Sequence, residues 1–168
     1  SKYATKREFS GVDMDMDFKK SSRIGFIGLG AMGAGMAQCL LNQGYAVDVY
    51  ELRADVMQEF KDAGAIAHLT ARDLGAHVHL VFLSLPDGAA VESALFGANG
   101  LSEGLRPGTC VVDTSTISTQ AAQHIGQRLA TQDVAFMDAP VSGGQQGAAS
   151  GTLTCMVGGS VDSFEKCK

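Results

Sequence analysis

Apolar residues fall in short runs separated by stretches of helical spacing, and the two alternate along most of the chain. Ile24-Gly25-Phe26-Ile27 is long enough for one buried strand and too short for a helix. Met36, Ala37, Leu40 and Leu41 follow at helical spacing, and Gly44 stands where that helix should stop. Ala46 to Tyr50 reads as a second strand. Ala54 to Ala63 places Val56, Met57 and Phe60 on one helical face, with Gly64 as its C-cap. Ala65 to His68 predicts a short third strand, and Thr70 to Gly75 a brief helix with Thr70 at its N-cap. Val78 to Leu83 predicts a fourth strand, stopped at Leu85 by Pro86, and Ala89 to Phe96 the next helix. A fifth strand spans Thr109 to Asp113, a helix Ser118 to Ala130, and a sixth strand Val134 to Met137. Strands this uniformly apolar belong to a parallel sheet buried on both faces. The alternation therefore predicts an α/β fold: a doubly wound, mostly parallel sheet with helices on both faces. Beyond it, Thr152 to Val157 reads as a seventh strand, and Ser160 to Lys168 as the start of a helix.

This pattern fills residues 23–168 and fits one domain. Residues 1–22 are polar and aperiodic, and read as a processed or truncated extension that folds little. Asp13-Met14-Asp15-Met16-Asp17 opens like a calcium loop, but Phe18 and Ile24 stand where that loop needs Gly and Glu, so calcium is rejected. Glu8 and the three Asp argue against a mitochondrial presequence. A net charge of -5 with scattered Lys and Arg provides no field for nucleic acid. No apolar run approaches the roughly 18 residues of a membrane span. The expected location is cytoplasmic, with the mitochondrial matrix as the second choice. Cys39, Cys110, Cys155 and Cys167 read as buried free thiols. His77 and His79 lack a third ligand in reach, so no metal site is assigned.

Two glycine-rich stretches carry the chemistry. Gly28-Leu29-Gly30-Ala31-Met32-Gly33 joins the first strand to the first helix. In such a turn Gly28 permits the tight bend, Gly30 leaves room for a pyrophosphate, and Gly33 lets helix and strand pack closely. The exposed amides and dipole of the helix start favour an anion. Glu51 closes the second strand about 20 residues on, where Rossmann dinucleotide folds place an acid on a ribose hydroxyl. A flavin-binding domain shares these features, so this stretch establishes a dinucleotide without choosing among them. Asp138-Ala139-Pro140-Val141-Ser142-Gly143-Gly144 follows the sixth strand. One hydroxyl followed by two unshielded amides can hold a substrate carboxylate or hydroxyl; taken alone, the loop's glycine richness favours a solvated turn with Ser142 as a cap. The hydroxyls of Thr114, Ser115 and Thr116, after the fifth strand, read with equal weight as caps of the following helix.

Together these motifs resemble the 3-hydroxyisobutyrate dehydrogenase family, the β-hydroxyacid dehydrogenases related to 6-phosphogluconate dehydrogenase. The likeness runs from about Arg23 to the end of the chain. It rests on the glycine turn with Met36-Ala37, Leu85-Pro86, Val112-Asp113-Thr114-Ser115-Thr116 and the Asp138 to Gly144 loop. The resemblance implies hydride transfer between NAD or NADP and a small β-hydroxy acid or its aldehyde or keto form. It implies that Gly28, Leu29, Gly30, Ala31, Met32 and Gly33 hold the pyrophosphate, that Leu85 and Pro86 border the ribose, and that Thr116 lies near the nicotinamide ribose. It also implies that Ser142, Gly143 and Gly144 bind substrate. Glu51 favours NAD by repelling a 2′-phosphate, while Arg53 keeps NADP open. The family's catalytic lysine belongs to a second, helical domain and its motif has no match here, so no catalytic residue is assigned; Lys166 and Lys168 lie outside any such motif. The family further implies that the full-length protein is a homo-oligomer, and that this stretch alone is inactive. A short-chain dehydrogenase is excluded because Tyr3, Tyr45 and Tyr50 have no lysine four residues on. The alternative from another class is a non-catalytic dinucleotide-binding or assembly module of the same fold.

Overall fold

The computed structural model describes residues 22–167, so the readings made on the first 21 residues lie outside the described residues. The chain alternates β1 (Arg23–Ile27), α1 (Ala31–Asn42), β2 (Ala46–Tyr50), α2 (Ala54–Asp62), β3 (Ile66–Ala67), α3 (Ala71–Gly75), β4 (Leu80–Leu83), α4 (Gly88–Phe96), β5 (Cys110–Asp113), α5 (Thr119–Ala130) and β6 (Ala135–Asp138). All six strands are parallel, in the order β3-β2-β1-β4-β5-β6. This is the doubly wound order, with its reversal between β1 and β4.

Side chains alternate between the two faces of the sheet, and both faces are apolar. Ile24, Phe26, Val47, Val49, Leu80, Val112 and Met137 pack on one side with residues of α1 and α2. Ile27, Val81, Leu83 and Val111 pack on the other with Leu74 of α3, Val91 and Leu95 of α4, and Ile125 and Leu129 of α5. Phe26 and Phe82 stack across the strand pair at the centre, ring centroids 5.1 Å apart. Caps set several boundaries: Thr70 accepts from Asp73 N–H, Asp87 from Ala90 N–H and Ser118 from Ala121 N–H.

One buried acid interrupts the apolar sheet. Asp48, in the middle of β2, is fully buried. Its carboxylate accepts hydrogen bonds from Arg23 at the start of β1 and sits 2.5 Å from Nε2 of His68, just past β3. The His68 ring packs against His77, whose Nδ1 lies 2.7 Å from the Asp73 carbonyl oxygen. The strand pattern Ala46-Val47-Asp48-Val49-Tyr50 contains this acid without revealing its partners, which come from two other elements.

The structure departs from the sequence pattern after β6. Instead of a strand over Thr152 to Val157, only Thr154–Cys155 (β8) is extended, pairing antiparallel with Val141–Ser142 (β7) in a separate two-stranded sheet. Gly144–Ser150, to which the apolar pattern assigned no element, forms a helix, α6. Its glycines hid it: Gly143 and Gly144 serve as its entry and Gly151 as its left-handed C-cap, and Gly147 lies buried among the Gln and Ala residues of its interior. A last helix, α7 (Val161–Cys167), begins where the pattern placed one, with Ser160 capping Ser163 N–H. Cys110 is disulfide-bonded rather than a free thiol, and the free Cys39 and Cys155 are half-buried rather than buried.

Candidate cofactor and substrate site

In a parallel sheet every strand ends on the same edge. Here the Gly28–Gly33 turn follows β1, Glu51 follows β2, Leu85 and Pro86 follow β4, Thr114 to Thr116 follow β5, and Asp138 itself ends β6 and opens the Asp138–Gly144 loop. Backbone hydrogen bonds tie these ends together in sequence across the sheet: Gly28 N–H to Tyr50 O, Ser84 N–H to Ile27 O, Thr114 N–H to Leu83 O and Ala139 N–H to Asp113 O, at 2.8 to 3.2 Å. The segments therefore line one crevice edge on both sides of the β1–β4 reversal, which is where open α/β sheets bind ligands.

The glycine turn has the required shape. Gly28 has φ +89°, and a Cβ on it would lie 2.2 Å from the Ser84 carbonyl oxygen. A Cβ on Gly33 would lie 2.1 Å from the Gly28 carbonyl oxygen. A Cβ on Gly30, at the N-cap of α1, would meet nothing within 4 Å. The turn is thus closed against protein at its two ends and open to a ligand in the middle, which fits a pyrophosphate approaching the backbone.

Glu51 is held against this turn. Its Oε2 accepts from Leu29 N–H at 2.7 Å and from Arg53 at 3.2 Å, while Oε1 accepts from the Arg53 backbone N–H and Nε, each at 3.2 Å. Arg53 also donates to the Leu29 carbonyl oxygen at 3.0 Å. Burial works to raise the Glu51 pKa, but the hydrogen bonds from Arg53 and from Leu29 N–H together outweigh it, and the carboxyl titrates below its ordinary range. A carboxylate stands here at neutral pH.

The hydroxyls after β5 divide their roles. Thr114 Oγ1 donates to the Leu83 carbonyl oxygen at 2.7 Å, and Ser115 Oγ accepts from Leu85 N–H at 2.9 Å. Both are buried and fasten β5 to the end of β4, so neither caps α5, a role taken by Ser118. Thr116 is exposed, as are Pro86, Ser142, Gly143 and Gly144. The Ser142–Gly144 segment carries into α6, which lies across α1. A Cβ on Gly35 of α1 would come within 2.9 Å of the Ala148 Cβ, so the two helices meet almost backbone to backbone. The glycine-dense run through Gly35 was the available signal for this contact, but nothing in the sequence named its partner.

Two carboxyl groups at the same edge went without a role. Asp113 and Asp138 are register partners on β5 and β6. Asp113 Oδ1 accepts from Ser115 N–H at 2.9 Å, but Asp113 Oδ2 and Asp138 Oδ1 are buried with no hydrogen-bond partner among the described residues. Burial pushes the Asp113 carboxyl up; burial and then the Asp113 charge push Asp138 up to about 6. The signal was two apolar strands, Cys110–Asp113 and Ala135–Asp138, each closing on an acid.

Fold and crevice define a dinucleotide-binding Rossmann domain. The family model for the NAD binding domain of 6-phosphogluconate dehydrogenase matches residues 23–168, and the chain belongs to this family. It is 41% identical over 144 residues to L-threonate dehydrogenase of Cupriavidus necator, covering 86% of this chain and 48% of that protein. It is 38% identical over 141 residues to the human mitochondrial 3-hydroxyisobutyrate dehydrogenase, covering 84% and 42%. The crystal structure of 3-hydroxyisobutyrate dehydrogenase from Salmonella typhimurium superposes with a TM-score of 0.82 at 33% identity, covering 87% of this chain and 51% of that one. The chain spans about half the length of the relatives it matches. Among the described residues, no helix is long and apolar enough to cross a membrane.

Proposed function

We propose that this chain is the cofactor domain of an NAD-dependent β-hydroxyacid dehydrogenase, and that its carboxyl-edge crevice binds the dinucleotide and one side of the substrate. The observation that supports this most directly is the placement of five separate motifs at the ends of five neighbouring strands around the β1–β4 reversal. A nicotinamide cofactor, when held there, would supply hydride exchange with the carbinol carbon of a hydroxy acid. The chain's own residues bind and orient. Gly28 to Gly33 present backbone amides to the pyrophosphate, with Gly30 at the point of closest approach. Leu85 and Pro86 border the ribose, and Thr116 donates or accepts at the nicotinamide ribose.

Glu51 accepts a ribose hydroxyl and repels a 2′-phosphate. Its lone pairs are engaged by Leu29 N–H and Arg53, so the ribose must displace Arg53. That exchange is cheap, because the Arg53 side chain is more than half exposed and water screens a pair of this kind. The released guanidinium is also the group by which the domain could accept NADP. NAD is favoured because Glu51 stays ionised.

Ser142 and the Gly143 and Gly144 amides hold a carboxylate or hydroxyl of the substrate, consistent with relatives named for hydroxy carboxylates. No residue of this chain is assigned the proton exchange with the substrate hydroxyl; a lysine in a second, helical domain performs it, and the same domain supplies the contacts of a homo-oligomer. A cytoplasmic or mitochondrial-matrix location goes with this reading.

Absorbance at the reduced-nicotinamide band tests it. With NAD and either 3-hydroxyisobutyrate or L-threonate, the 168-residue chain should bind cofactor yet turn over nothing, while the full-length protein reduces NAD with one of the two acids. Turnover by the 168-residue chain alone would overturn the division of labour.

A further inference from the structure

We propose that Asp113 and Asp138 hold a single proton between them, and that this shared proton fastens the Ser142–Gly144 loop to the Thr114–Thr116 loop. The geometry requires something of this kind. The two residues are register partners on adjacent parallel strands, so their side chains leave the same face of the sheet side by side. Each presents a buried oxygen without a hydrogen-bond partner among the described residues. An unpaired buried carboxylate oxygen is costly, and two neighbouring carboxylates cannot both ionise cheaply. One proton between Asp113 Oδ2 and Asp138 Oδ1 resolves both problems, since the protonated carboxyl donates and the other accepts.

Among the side chains described, none supplies a cation to the pair. The influences on Asp138 are burial and the Asp113 charge, and those on Asp113 are burial and its bonds with Ser115. The elements packed on these strands carry His124 and Arg128 on α5, and Asp162 and Glu165 on α7. Arg128 is committed to Glu92 and to the face of Phe96, and none of these groups acts on the pair.

The pair sits where it can couple the loops. Asp113 accepts from Ser115 N–H with its side chain and from Ala139 N–H with its carbonyl oxygen. Asp138 exchanges backbone hydrogen bonds with Gly158, beyond β8, and leads through Pro140 into the β7–α6 segment. Loss of the proton puts two like charges against each other at the root of both loops and should loosen the second. The coupling to catalysis rests on the functional reading above, but the proton itself does not.

The folded-state pKa of Asp138 lies above its ordinary value of about 4. The stability it contributes is therefore full below that ordinary value and is lost as pH rises through about 6.

The test is a carbon-detected NMR titration of the aspartate carboxyls in the 168-residue chain, run with Asp113→Asn and Asp138→Asn. The expected result is an Asp138 midpoint near 6 that falls in Asp113→Asn, where the new amide donates to the carboxylate. Gly143 and Gly144 amide shifts should follow the same midpoint in the parent and stay flat in Asp138→Asn. That variant should also be the more stable one above about pH 7. An Asp138 midpoint in the ordinary range, or one unmoved by Asp113→Asn, overturns the shared proton. Glycine amides that ignore the titration overturn the coupling. A midpoint pulled down by millimolar calcium would make the pair a cation site and overturn the proposal as well. None of these outcomes depends on whether the chain binds NAD.

Discussion

Gly33 shows how little latitude single positions have at the crevice. A methyl group there would stand 2.1 Å from the Gly28 carbonyl oxygen, at the first turn of α1. Gly33→Ala should therefore cost about 2 kcal/mol of stability by overpacking, read by urea denaturation, and lower NAD affinity at least about tenfold, read by calorimetry. Unchanged affinity would mean that the turn does not hold the pyrophosphate. Asp48 lies in the opposite situation, being a buried charge that needs its partners. Asp48→Ala should destabilise the chain by about 3 kcal/mol, because His68 and Arg23 lose their shared acceptor inside the fold. The same urea experiment reads this, and a loss well under about 1 kcal/mol would show the cluster to be incidental. Glu51 adds a pH dependence of the opposite sign to Asp138. Its pKa is lower folded than unfolded, so its contribution is present above the ordinary carboxylate range and is lost as pH falls through the depressed value. A Glu51→Gln chain should lose less stability than the parent as the solution is taken from neutral to about pH 3.

At the scale of elements, α6 joins the two halves of the proposed site. It begins at the Gly143–Gly144 segment and packs on α1, the helix that starts at the Gly28–Gly33 turn, through Gly35 and Ala148. Gly35→Leu should push α6 away. The expected signature is faster hydrogen exchange over Gly144–Ser150 with β1 and β4 unchanged, and equal exchange in both proteins would contradict this role. The same element marks the limit of what could be read from residues alone. Strands β1, β2, β4, β5 and β6 were legible because each is a short apolar run that a parallel sheet buries on both faces. The turn at Gly28–Gly33 and the acid at Glu51 were legible because local geometry imposes their spacing. Helix α6 was not, because its seven residues include Gly144 and Gly147 and its stability comes from contact with α1 rather than from propensity. The Thr152–Val157 stretch failed for a related reason. Its apolar residues mimic a sheet strand, yet only Thr154 and Cys155 pair as a strand, with β7, while Met156 N–H reaches the Pro140 carbonyl oxygen. The roles of Thr114 and Ser115 were equally hidden, since a hydroxyl before a helix reads as a cap until the neighbouring strand end at Leu83 and Leu85 comes into view.

At the scale of the whole molecule, the sheet order determines what the domain can do. The reversal between β1 and β4 leaves a crevice at the carboxyl edge, and the motif-bearing segments follow the strands on either side of it. Every motif-bearing segment comes from this one sheet, which is why the domain reads as a coherent binding unit. The most direct test is calorimetric titration of the 168-residue chain with NAD and with NADP, repeated on Glu51→Ala. The account predicts saturable binding that prefers NAD, and a preference that drops about tenfold in the variant once the carboxylate that repels a 2′-phosphate is gone. Binding of neither cofactor by a folded chain, or an NAD preference untouched by the loss of Glu51, would contradict it.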